Sequence, residues 1–373
     1  MAEIEIGRGK QGRRGYGWDE LAIVPSRRTR DPEDVDVSWA IDAYTFPLPV
    51  MAAPLDSVSS PATCVELGRL GGVGVLNLEG LWTRYEDPEP VLEQLAEATD
   101  GWDAARALRA AYAEPIKPEL IGARIAELRA AGVVSCAALT PQRTAEYAEE
   151  ILKAELDLFV IHGTVVSAEH VSRGVEPLNL KRFVRELEVP VIVGGCASYQ
   201  AALHLMRTGA AGVLVGVGAG GADRVGDVLG VGVPPATAVA DARAARMRHL
   251  DETGVYVHVI ADGGMATGGD VAKAIVCGAD AVALGAPLAG AAEAPGRGWT
   301  WSMTARHPTL PKGHRVAAPP LGSLEQVLVG PAVDADGRTN LIGALRAAMG
   351  LCGYESLKDF QKADLVTAPG GPR

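Results

Sequence analysis

The chain has 373 residues, 48% of them hydrophobic, with 45 glycines, 24 prolines and a net charge of −11. That length suits one large α/β domain or two small ones, and the acid excess argues against wholesale binding of a phosphate backbone. A single bound nucleotide stays open, because backbone amides hold phosphate without net positive charge.

Residues 1–17 are polar and glycine-rich, with Arg8, Lys10, Arg13 and Arg14. They read as a flexible N-terminal arm, or else as an arm that touches a neighbouring subunit or a phosphate. From Pro47 onward, apolar runs of strand length alternate with helical spacing. Strands are expected at 49–55 and 73–77, with a helix over 60–70 between them. A helix-rich stretch with Leu92, Leu95, Ala96, Leu108 and Ala111 follows, then a helix over 118–131 and a strand over 133–139. Helices at 141–153, 199–208, 237–250 and 269–277 alternate with strands at 156–161, 190–195, 212–215, 257–261 and 280–284. Residues 293–339 carry four prolines within 308–320 and read as a loop-rich flap, after which a helix over 341–349 closes the chain.

The strands are apolar throughout rather than alternating, as a sheet covered on both faces requires. Strand–helix alternation implies parallel strands and right-handed crossovers. Glycine and acid signals at several strand ends favour a closed (β/α)8 TIM barrel over an open doubly wound sheet, as one domain over 18–373.

The strand-end motifs are the candidates for chemistry. In ADGGM, 261–265, the carboxylate of Asp262 either accepts hydrogen bonds from a ribose diol or caps the next helix. LGAP, 284–287, repeats the pattern at the next strand end, and two adjacent glycine turns make the recurrent barrel phosphate site. In APLDSVSSP, 53–61, Asp56 and Ser57 either touch ligand or cap the following helix, and Ser59 and Ser60 read as caps. His162 ends another strand and reads first as a structural histidine. Cys196 ends a further strand and reads as a packed hydrophobe. The five cysteines include no CxxC pair, so neither a disulfide framework nor a metal site is expected, and a cytoplasmic location is. GVGAGGA, 216–222, lacks the spacing of a dinucleotide fingerprint.

Taken together, several segments resemble the IMP dehydrogenase/GMP reductase family. They are GWDELAIVPSRRT (17–29), LPVMAAPLDSVSSP (48–61), GRLGGVGVLN (68–77), VPVIVGGCASYQAA (189–202) and GAAGVLVGVGAG (209–220). VLGVGVPPATAVADA (228–242), the run from VIADGGM through LGAPLAGAAEAPG (259–296) and NLIGALRAAMGLCGY (340–354) continue in family order. The likeness is to a compact branch of dehydrogenase-related proteins without CBS modules. Those modules would sit at 79–118, about forty residues that cannot hold a CBS pair.

The resemblance implies NAD-dependent oxidation of IMP to XMP, in which a loop cysteine attacks the purine carbon between two ring nitrogens. A catalytically deficient purine-nucleotide-binding regulatory or scaffold protein is the alternative, and reduction of GMP with NADPH is a further one. By resemblance Asp262 holds the ribose diol, Gly264, Gly285 and Ala286 hold the phosphate, and Ala53, Leu55, Ser57, Gly220 and Gly221 line the nucleotide. Asp223 occupies the position of the family cysteine, where it serves as a general base or is a solvated loop residue. His162 stands where a cofactor-contacting aspartate is common. Gly221 replaces a family serine and Gly195 an asparagine, the flap has arginines but no tyrosine for a water-activating pair, and no potassium site is expected. The loop 218–232 is expected to be mobile and to close over nucleotide. A homotetramer is the expected assembly, with no nucleic-acid or membrane partner.

Overall fold

The computed structural model describes residues 3–98, 100–173, 177–222, 224–302 and 315–367. Eight parallel strands form one sheet: β1 (Val50–Ala52), β2 (Leu76–Asn77), β3 (Cys136–Leu139), β4 (Leu158–His162), β5 (Val191–Cys196), β6 (Gly212–Val215), β7 (His258–Asp262) and β8 (Ala281–Leu284). The spatial order is β1-β8-β7-β6-β5-β4-β3-β2. Met51 of β1 bridges Val73, just ahead of β2, and the Ala52 amide donates to the Val73 carbonyl at 2.9 Å. That pairing closes the sheet, so the architecture is the TIM barrel expected from the alternation.

The helices that return the chain are α1 (Pro61–Leu70), α2 (Pro118–Ala130), α3 (Pro141–Lys153), α4 (Leu180–Glu186), α5 (Tyr199–Met206), α6 (Pro235–Thr253), α7 (Gly268–Cys277) and α8 (Leu341–Leu351). Local chemistry sets their starts. Pro61, Pro118 and Pro141 occupy first helical positions, where the missing N–H costs nothing. Ser60 accepts from the Thr63 amide at 3.0 Å, which makes it the cap. Ser59 is not a cap; its hydroxyl donates to the Ala53 carbonyl at 3.0 Å and braces the end of β1.

Continuous apolar strands have a simple cause. Met51, Cys136, Ala138, Leu158, Val160, Ile192, Leu214, Ile260, Ala281 and Ala283 pack together inside the barrel. Val50, Ala52, Ala137, Leu139, Phe159, Ile161, Val213, Val259 and Val282 belong to the second cluster, beneath the helices. The faces alternate, and each is buried against something different. A hairpin of Trp39–Ile41 and Tyr44–Phe46 plugs the N-terminal end. Trp39 stacks on Phe46 with centroids 5.3 Å apart, and its indole N–H donates to Nδ1 of His258 at 3.2 Å, at the start of β7.

Three regions add to the expectations. Glu3–Gly7 and Lys10–Arg13, inside the expected arm, form an antiparallel hairpin. Arg13 forms an ion pair within the chain, with Asp241 of α6. Trp299–Thr300 pairs with Val316–Ala317 in the flap, and Leu324–Leu328 is helical where loop was expected. The helix-rich stretch resolves into helices Glu89–Glu97 and Gly101–Ala111. Among the described residues, no helix is long and apolar enough to cross a membrane.

Candidate functional site

The C-terminal mouth holds a cavity of about 480 Å³. Ala53 and Leu55 from the end of β1, His162 from β4, Gly220 and Gly221 after β6, Asp262 and Gly264 at β7, and Gly285 and Ala286 after β8 all line it. Strand ends widely separated in sequence therefore converge, as the fold requires of a barrel site.

The turn after β7 decides between the two readings of Asp262. Gly263 and Gly264 have φ of +86° and +77°, which carry the chain away from the strand in a conformation that favours glycine. The cap of helix α7 lies five residues beyond Asp262, at Thr267, whose hydroxyl accepts from the Asp270 amide at 3.2 Å while the Asp270 carboxylate accepts from the Thr267 amide at 3.1 Å. The cap is complete without Asp262, whose half-buried carboxylate is left on the cavity wall. Its Oδ2 lies 3.6 Å from Nε2 of His162, so the two side chains form one polar cluster.

Gly285 is a glycine of a different kind. Its φ is −112°, and a Cβ there would meet Leu55 and Ala53 only at ordinary contact distance, 3.4 and 3.5 Å. The fold does not need glycine at 285. A ligand pressed against that backbone would. Gly216 is the opposite case, since a Cβ would sit 1.9 Å from the Asp262 carbonyl oxygen.

Ser57 does not line the cavity. It is fully buried, sharing a 3.1 Å hydrogen bond with the Thr300 hydroxyl and accepting from the Trp301 amide at 3.3 Å. Its role is to hold the stem of the flap. Asp56 works beside it. The Tyr112 hydroxyl donates to Asp56 Oδ2 at 2.6 Å, the Leu81 amide donates to the same oxygen at 3.0 Å, and the Trp301 indole donates to the Tyr112 oxygen at 2.9 Å. Burial pushes the Asp56 carboxyl up to about 6, against the lowering pull of the Tyr112 and Leu81 bonds.

No cysteine supplies a ready nucleophile. All five are buried. Cys196, at the end of β5, points its thiol at the Leu214 carbonyl at 3.5 Å, and burial pushes that thiol up to about 12. Asp223 lies outside the described residues. Sequence reasoning missed Arg338, which lines the cavity from the segment ahead of α8. Its only signal was position, on a stretch read as loop.

Comparison with known proteins bears on the family and the fold. The model of the IMP dehydrogenase / GMP reductase domain matches residues 15–307. An uncharacterized oxidoreductase of Mycolicibacterium smegmatis is 50% identical over 371 residues, covering 97% of this chain and 99% of the relative. Inosine-5'-monophosphate dehydrogenase of Methanocaldococcus jannaschii is 27% identical, covering 97% of this chain and 94% of that protein. The crystal structure of an IMP dehydrogenase/GMP reductase-like protein from Corynebacterium glutamicum superposes with a TM-score of 0.92 at 46% identity, over 98% of each chain.

Proposed function

The chain belongs to the IMP dehydrogenase / GMP reductase family, and we propose that it binds a purine nucleoside monophosphate in the barrel mouth and oxidises IMP to XMP with NAD as partner. The observation that carries the reading is the convergence of Asp262, Gly264, Gly285 and Ala286 on one cavity of about 480 Å³. A carboxylate suits a ribose diol, and glycine turns admit a phosphate to backbone amides. The oxidoreductase class also has the support of the family and of relatives named as oxidoreductases.

The cavity wall also includes His162, Thr164 and the flap residues Val316–Ala317, Ala318 and Pro319. An imidazole beside a largely apolar wall suits a planar nicotinamide, which supplies the hydride acceptor when bound. Asp223 would then take the proton of a water whose oxygen bonds to the purine carbon as that carbon gives up its hydride, because a carboxylate suits proton transfer better than attack on a purine ring.

A second reading, a nucleotide-binding regulatory or scaffold protein without turnover, is favoured by the thiols. A buried thiol such as Cys196, pushed up to about 12, supplies almost no thiolate at neutral pH, and the family cysteine position holds Asp223. GMP reduction shares that shortage. Absorbance of reduced nicotinamide, followed with IMP plus NAD and with GMP plus NADPH, separates the three. Silence in both, with calorimetry still showing IMP bound, selects the non-catalytic protein; no binding of IMP, GMP or XMP removes the nucleotide reading itself. Asp223→Cys should raise IMP oxidation if only the nucleophile is lacking. We further propose a homotetramer located in the cytoplasm, which a monomeric mass by light scattering would contradict.

A further inference from the structure

We propose that Arg338 binds the phosphate dianion of the nucleotide and makes the site select nucleotides over nucleosides; this rests on the nucleotide reading above. The argument starts from the charge inside the cavity. Its ionisable lining side chains are Asp262, His162 and Arg338, so Arg338 is the only lysine or arginine among them in the described residues. Among the described residues, a phosphate monoester entering beside Asp262 without Arg338 would face a carboxylate and no fixed positive charge.

Backbone amides alone bring no net charge to the phosphate, and two of those at the N-terminus of α7 are engaged. The Gly268 amide, first in α7, donates to the Gly337 carbonyl at 2.9 Å, and the Asp270 amide is spent on the Thr267 hydroxyl at 3.2 Å. The helix after β8, Ala286–Ala289, is a single turn of 4 residues, so it adds local amide donors with little dipole behind them. The same Gly268–Gly337 bond pins residue 337 against the start of α7, where a Cβ on Gly337 would lie 3.4 Å from Thr267. Arg338 is thereby delivered next to the turn of Gly263 and Gly264. Its own amide donates to Asp336 at 2.9 Å, which fixes the backbone, while among the described residues no acceptor holds its guanidinium. Surface arginines elsewhere are mostly paired, as Arg207 is with Glu252 at 2.7 Å and Arg182 with Glu186 at 2.7 Å. Arg338 is half-buried, and its guanidinium, without a partner among the described residues, offers this glycine-turn cavity the planar fork that phosphate oxygens take in pairs.

Calorimetry with IMP, inosine and NADP, on the wild-type protein and on Arg338→Gln and Arg338→Lys, tests this. Arg338→Gln should bind IMP about 10–100-fold more weakly, the range for a lost charge-assisted hydrogen bond. Inosine should bind no more weakly to the variant than to the wild type, the melting midpoint of the free protein should not move, and Arg338→Lys should recover part of the loss. Equal IMP affinity in Arg338→Gln and wild type overturns the proposal while leaving the nucleotide site standing. An equal loss for inosine overturns it in favour of a packing role, and a loss confined to NADP overturns it in favour of a cofactor phosphate. A wild type that binds no IMP overturns the nucleotide reading, and this inference with it.

Discussion

The side of the cavity formed after β7 and β8 and the side formed by the flap are held by different physics. After β7 and β8 the wall is mostly backbone: two glycines with positive φ, a glycine that needs no special φ, and polar side chains without strong internal partners. On the flap side, buried side chains do the holding. Trp301, 1% exposed, hangs from Tyr112, which hangs from the fully buried Asp56. Arg297 pairs with Glu89 and Glu93, and Arg315 lies over the Trp299 ring at 3.8 Å while its guanidinium caps the carbonyls of Leu95 and Ala98. The helices after β2 therefore act as a bracket for the flap. The lesson is a division of labour: the wall after β7 and β8 is built from groups that cost the fold little, and the flap wall is held from behind by buried side chains that do not themselves line the cavity.

Three experiments press on that division. The largest effect is expected at the bracket. Trp301→Ala removes a fully buried ring and the indole donor to the Tyr112 oxygen, so it should cost about 3–5 kcal/mol in denaturant unfolding. A cost under about 1 kcal/mol would mean that the flap stem is not part of the cooperative core.

The next test uses Asp56. Burial holds its carboxyl at about 6, whereas an unfolded aspartate ionises near pH 4. Between those values the native state binds the extra proton, so this group's contribution to stability falls as pH rises from about 4 to about 6, on the order of 3 kcal/mol in all. Asp56→Asn has no proton to release, and its unfolding free energy should lack that fall. Parallel pH profiles for the two proteins would show that the carboxyl is not raised.

The smallest stability effects, and the sharpest contrast, lie among the glycines. Gly264→Ala forces a Cβ onto a backbone at φ +77°, at a cost of about 1–2 kcal/mol in stability. Gly285→Ala meets no such strain and should leave the melting point unchanged while weakening IMP binding. Loss of stability at 285 with binding intact would reverse the assignment of the two positions.

Much of the fold was legible in the chain because its causes are local. Each barrel strand is a short apolar run followed by a helix with its own cap or proline, as at Ser60, Pro118 and Pro141, and that rhythm shows without any contact between distant residues. The N-terminal hairpin was harder to read, since Ile4 and Ile6 bury little and leave no core signal; they are 46% and 72% exposed. Candidate site residues directly after strands, such as Asp262, Gly264 and Gly285, were legible for the same local reason, because a barrel gathers strand ends at one mouth.

Tertiary structure decided the rest. Ser57 stands two residues from a cavity-lining position and looks like a ligand contact, yet its partner is Thr300, 243 residues away. Tyr112 reaches Asp56 across 56 residues and Trp301 reaches Tyr112 across 189. Arg338 enters the cavity only because a backbone bond ties Gly337 to the start of α7. A sequence pattern records what a residue does to its own turn of helix or strand. Which distant side chain shares its burial depends on how the whole barrel closes, and no local period carries that information.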